Sequence, residues 1–174
     1  MTEKVPDLSL LNDVVAPPVL AAMRAASSQL ARTGVRHALA GALAVGAWGY
    51  RRASKDVGFL VGDEAFEQHE GGIVTMAPGI PISAGGISID HLGVLPDEAH
   101  LNEALARPVV DTGIPIVPLE ALIYLKLKSP RRRDEADVIE LLRINDPRPI
   151  RAYLEKNAPE MLEKFDSAAS EALS

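Results

Sequence analysis

Residues 51–64 read RRASKDVGFLVGDE: a polar approach, an acidic residue, and then an apolar run with the pattern of a buried strand. Side chains two apart in a strand share one face, so Asp56 and position 58 point to the same side. Two carboxylates placed that way would seat a hard divalent cation, which takes oxygen ligands and completes its shell with water and phosphate oxygens. Position 58 is glycine, so one such ligand is missing. A further acid, Asp90, stands in the apolar context ISIDHL. A carboxylate there is costly to bury unless it is paired, hydrogen-bonded or metal-bound. Asp90 therefore has two readings: a structural cap or ion pair, or a site shared with Asp56.

Other residue types at informative places are fewer. Gly41 follows the apolar stretch VRHALA and would let the backbone approach a phosphate, with the free N–H groups of a following helix aimed at it. Equally, Gly41, Gly46 and Gly49 suit close helix packing. Arg131, Arg132 and Arg133 are consecutive, with Lys126 and Lys128 upstream. That run is either a solvated turn or an electrostatic grip on phosphate, and the two lysines either snorkel or take part. His37 reads as a satisfied core histidine and His100 as a solvated one. His91 is sent by strand alternation to the face opposite Asp90. Trp48 reads as packing.

These residues need elements to hold them. Pro17-Pro18 opens a helix with Leu20, Met23, Ser27 and Leu30 at helical spacing, closed by Gly34. VRHALA is a short strand, GALAVGAWGY a small-residue helix, and DVGFLVG a second strand. DEAFEQHE suggests a short acidic helix. IVTMA and GISIDHLGVL read as strands separated by Pro78, Pro81 and Gly85-Gly86. Asp97 to Ala106 reads as a helix and PVVDTGIPIV as two strands broken at Gly113. From Pro118 onward the pattern is helical, interrupted at Pro130 and restarted near Pro147 and Pro159, with SAASEALS expected to fray. The order predicts an α+β domain, a mixed β-sheet flanked by helices. Its parts are a loose segment 1–16, a core 17–117 and a helical C-terminal part 118–174.

At 174 residues and 47% hydrophobic content, one domain with a sizeable core is expected. The net charge of −6 and an aromatic content of 4% argue against a general nucleic-acid binder. With no cysteine there is no disulfide framework and no thiolate metal site. No apolar run approaches the roughly 20 residues of a membrane span, and no secretion signal is evident. The expectation is a cytoplasmic protein without a membrane partner.

The stretch HALAGALAVGAWGYRRASKDVGFLV resembles the nucleotidyltransferase superfamily, the DNA polymerase β-like fold, and within it the bacterial AbiEii-like toxins. The family pattern is a strand ending in Gly-Gly or Gly-Ser, a helix, an Arg-x-Ser/Thr-x-Asp approach, and Asp-x-Asp in the next strand. Gly41-Ala42 stands at the glycine pair, Arg52, Ser54 and Asp56 at the approach, and Asp56 with Gly58 at the acidic pair. Asp90 matches the family's later acid. PLEALIYLKLKSPRRRDEADVIELL resembles its helical segment, aligning Lys126, Asp134 and Asp137. The likeness spans roughly residues 19 to 145.

The resemblance implies transfer of a nucleoside monophosphate from a nucleoside triphosphate (NTP) to an RNA or protein hydroxyl. Asp56 and Asp90 would hold Mg²⁺ and act in catalysis. Gly41, Ala42, Arg52, Ser54 and Lys126 would contact the nucleotide, and a cognate antitoxin would be a partner. Gly58 departs from the pattern at a metal-binding position. It implies either impaired activity or a catalytically inactive module that binds a nucleotide or a partner protein.

Overall fold

A computed structural model of the chain describes residues 4–174. The expected loose segment is ordered over its described part, residues 4–16. A 3-10 turn, Leu8–Leu11, buries Leu8 and Leu11, and the Leu8 N–H donates to Asp111 Oδ2 at 2.8 Å. The Arg51 guanidinium donates to the carbonyls of Leu10 (2.7 Å) and Asn12 (3.2 Å). These partners are about forty and one hundred residues away, so local pattern carries no sign of them.

Helix α1 (Pro17–Arg32) begins on proline and buries Val19, Ala22, Met23, Ala26 and Leu30 along one stripe. It lies against the sheet, and truncating fully buried Met23 to alanine would cost about 2–5 kcal/mol. Strand β1 (His37–Ala40) is buried at every position, as a central strand covered on both faces should be. Helix α2 (Gly41–Ala47) follows without a loop, then β2 (Val57–Val61).

The acidic stretch after β2 corrects the sequence expectation of a helix. Asp63–Ala65 is a single 3-10 turn, and Phe66–Gln68 is β3, paired antiparallel with β4 (Val74–Met76). The pairing is with the next strand, Gln68 opposite Val74 and Phe66 opposite Met76, and it overrides the propensity of the acidic residues.

Strands β5 (Ser83–Ala84) and β6 (Ile87–Leu92) form a hairpin over Gly85-Gly86. Both loop residues have positive φ, 55° and 80°, as a two-residue hairpin turn requires. Helix α3 (His100–Ala106) leads to the hairpin of β7 (Val109–Asp111) and β8 (Ile114–Ile116). Four helices complete the chain: α4 (Leu119–Leu127), α5 (Arg132–Ile144), α6 (Pro147–Asn157) and α7 (Leu162–Leu173). The last of these carries SAASEALS into regular helix, with Phe165 and Ala168 buried.

The main sheet has the order β5-β6-β2-β1-β8-β7. β1 runs antiparallel to β2, while β2 and β6 are parallel, as are β1 and β8. The chain is thus an α+β protein with a mixed six-stranded sheet and flanking helices. Helix α4 is buried nearly all round between α2, α5 and α6, and Trp48 Nε1 donates to the Val117 carbonyl at 3.0 Å. Trp48 is therefore packing, and the C-terminal helices share a core with the sheet. No described helix is long and apolar enough to cross a membrane.

Candidate functional site

Strand β6 alternates: Ile89 is buried, whereas Ser88, Asp90 and Leu92 are exposed. One face of the sheet is therefore open at this edge. In the parallel register Gly58 lies opposite Asp90, and on its other side Gly58 pairs with Ala40, the last residue of β1. Asp56, two residues before Gly58, is exposed at the mouth of β2. The strand begins at Val57, so Asp56 sits just ahead of it.

A cleft of about 500 Å³ opens over this edge, within the range of small-molecule sites. Gly41, Ala42, Arg52, Ser54, Asp56, Gly58, Asp90 and Lys126 all line it. The fold thus brings together the eight residues expected from the sequence at the metal and nucleotide site. Ala53, Lys55, Arg131, Arg133 and Asp134 complete the lining.

The turn from β1 into α2 requires glycine. Gly41 has φ +65°, and a Cβ there would stand 4.0 Å from the Gly58 Cα. A Cβ built on Gly58, by contrast, meets nothing within 4 Å. Packing around the Cβ position therefore does not require glycine at position 58.

The charged residues divide into two groups. In the first, Arg52 donates to both oxygens of Asp137 at 2.8 Å. Lys126 Nζ meets Asp134 at 2.7 Å and Asp137 at 3.0 Å. Asp134 also accepts from Ser129 Oγ and, at 2.8 Å, from Arg131 Nε. Lys126, Asp134 and Asp137 are buried. Burial alone would push the Asp134 carboxyl up, but Lys126, Ser129 and Arg131 outweigh it and hold the group at about 2.

This alters the role expected for Arg52 and Lys126. Their charge is met by buried carboxylates, so they serve to fasten α4 and α5 to the approach segment. Ser54 is committed as well: its hydroxyl donates to the Asp56 carbonyl (3.0 Å) and accepts from the Asp56 N–H (3.3 Å).

The second group is without such partners. Among the described residues Asp56 and Asp90 take part in no ion pair, and neither do Lys55 and Arg133. Two carboxylates without ion pairs among the described residues therefore share the cleft lining with exposed cations. Asp63 and Glu64 do not reach it; Glu64 binds Arg36 at 2.9 Å, which holds its carboxyl at about 2. No cluster of three or more carboxylate or imidazole donors occurs among the described residues.

The histidines lie elsewhere. His37 is buried, with Ser27 Oγ at 2.8 Å and the Val35 carbonyl at 2.9 Å. His91 lies across from Phe59, and its Nε2 is buried without a partner among the described residues. His100, expected in solvent, is half-buried and bonded to the Tyr153 hydroxyl, with its ring edge-on to Tyr124. Compared with known proteins, the sequence matches no family model and no curated protein.

Proposed function

We propose that the cleft binds a nucleoside triphosphate and that the protein is a toxin-like nucleotidyltransferase, passing a nucleoside monophosphate to a hydroxyl of an RNA or protein acceptor. The observation that carries this reading is the convergence of Asp56, Gly58 and Asp90 on one wall of a cleft bounded by the Gly41 turn. These residues come from two parallel neighbouring strands and a strand-to-helix turn, in the order of the sequence motifs. The toxin assignment rests on the sequence resemblance alone.

Asp56 and Asp90 suit Mg²⁺, because they are exposed oxygen donors with no cation paired to them among the described residues, and Mg²⁺ keeps several waters when few carboxylates hold it. A bound Mg²⁺ would supply charge compensation for the triphosphate and its leaving pyrophosphate. The chain's own residues position the reactants, which is most of what phosphoryl-type transfer asks of a protein. The acceptor oxygen bonds to the α-phosphorus as the bond from that phosphorus to pyrophosphate breaks, and the hydroxyl proton passes to a cleft carboxylate.

One observation favours a second reading. The open space over Gly58 is a ligand position without a ligand-bearing side chain, as expected of a binding module that has lost catalysis. Calorimetric titration with ATP, GTP, CTP and UTP, each with and without Mg²⁺, tests the first reading. Binding strengthened by Mg²⁺ and lost in Asp56→Asn and Asp90→Asn supports it. A folded protein that binds none of the four refutes it. Binding without transfer to any RNA or protein supplied would favour the module.

A further inference from the structure

Arg52, Lys55, Lys126, Arg131 and Arg133 line the cleft with Asp56, Asp90 and Asp134, and Asp137 stands behind them. That is five cations against four acids, on a chain whose net charge is −6. The local excess is positive where the molecule as a whole is negative. An acid in place of Gly58 would cancel it when Asp137 is counted with the three acids of the lining.

The excess is also accessible. Arg52 and Lys126 are spent on Asp137 and Asp134, whereas Lys55 and Arg133 are exposed and unpaired among the described residues. Arg131 shares Asp134 with Lys126 and Ser129, and its side chain is 74% exposed. Guanidinium groups bind phosphate oxygens through charge-assisted, often bidentate hydrogen bonds. Two of them with a lysine suit a chain of phosphates better than a single carboxylate or a neutral ligand.

We propose that the cleft grips a polyphosphate chain directly through Lys55, Arg131 and Arg133, without a divalent cation, and that Gly58 is the residue that permits this. The inference rests on reading the cleft as a triphosphate site and names the groups that hold the phosphates there. With a carboxylate at position 58, three acids would confront the ligand and a metal ion would be needed to bridge them. With glycine, the cations suffice.

Inorganic tripolyphosphate is the probe, titrated calorimetrically in EDTA and again in Mg²⁺. The intact protein binds it in EDTA, more weakly as salt rises. Arg133→Gln and Lys55→Gln, both at exposed positions, each lose about tenfold in affinity, the equivalent of one charge-assisted hydrogen bond. Gly58→Asp loses about tenfold in EDTA and recovers it in Mg²⁺. Binding of tripolyphosphate only in Mg²⁺, or Gln variants that bind as tightly as the parent, would overturn the proposal. NTP titrations separate the two ideas. If NTPs bind with Mg²⁺ and tripolyphosphate does not bind in EDTA, the direct grip falls and the nucleotide reading stands. If tripolyphosphate binds in EDTA and no NTP binds tighter than it, the grip stands and the nucleotide reading falls.

Discussion

Gly58 and Asp90 are direct partners in the parallel register of β2 and β6, and the space above the glycine is empty on the side where Asp90 is exposed. A side chain at position 58 would therefore stand beside the Asp90 carboxylate. Gly58→Asp is expected to fold, to be about 1 kcal/mol less stable than the parent in EDTA from like charges on neighbouring strands, and to regain that stability in Mg²⁺. Thermal unfolding in the two buffers reads this directly. Equal melting temperatures in EDTA and Mg²⁺ would show that positions 58 and 90 do not share an ion.

The two groups of cleft acids should behave oppositely when mutated. Asp137→Ala strips the counter-charge from Arg52 and Lys126, and removing one partner of a buried pair costs about 3–5 kcal/mol. Asp56→Asn and Asp90→Asn, at exposed positions without ion pairs, should change stability by less than about 0.5 kcal/mol while abolishing any Mg²⁺-dependent part of ligand binding. Urea unfolding beside calorimetry separates the groups. A mild Asp137→Ala would mean that the ion pairs do not fasten the helices.

Stability should fall with acid in two stages. Burial holds His37, His91 and His100 below the usual histidine range near 6.5. The native state thus binds fewer protons than the unfolded chain, and stability declines as pH drops through about 6.5 and below. Glu64 and Asp134, held at about 2 against ordinary values of 4.5 and 3.8, add stability that is complete above those values and is lost as pH falls toward about 2. Urea midpoints across pH 2 to 8 would trace both stages. A flat profile between pH 7 and 5 would contradict the histidine part.

His91 offers a sharper test. Its Nε2 is buried without a partner among the described residues, so His91→Leu, which removes that atom, should stabilise the protein by about 1 kcal/mol at pH 7. It should also remove part of the decline below pH 6.5. Destabilisation by this variant would point to a bond that the imidazole makes.

A Cβ built on Gly46 would lie 2.5 Å from Leu11 Cδ2. Gly46→Ala should therefore cost about 1–3 kcal/mol through overpacking, and the added Leu11→Ala should cost less in that background than in the parent. Additive effects in this double-mutant cycle would deny the contact.

The elements that frame the cleft were legible because their signals are local. Proline at the start of α1, the unbroken apolar run of β2 and the hairpin glycines before β6 each act within a few residues. So does the spacing that sets Asp56 and position 58 on one face, and the eight residues expected at the metal and nucleotide site do line one cleft. What escaped was pairing between elements, near or far in the chain. That DEAFEQHE would end as a strand depends on β4, and that Leu11 would be buried depends on Gly46. Arg52 and Lys126 looked free for phosphate because their partner, Asp137, is far from Arg52 in the chain and reaches Lys126 only once α5 folds back against α4. The Arg131–Arg133 run was open between solvent and phosphate, and only the cleft's lining favours the latter.

Arg51 and Arg52 point their charges toward opposite ends of the polypeptide, one to the carbonyls of Leu10 and Asn12, the other to Asp137. Lys4 joins the same two regions by donating to the Ile144 carbonyl. The short segment that carries Asp56 is thus strung like a cable between the beginning of the chain and its helical final third. Slack introduced by cutting away residues 4–12 would reach the cleft from an anchorage outside its lining, whereas loosening α5 would reach it directly, through Arg133.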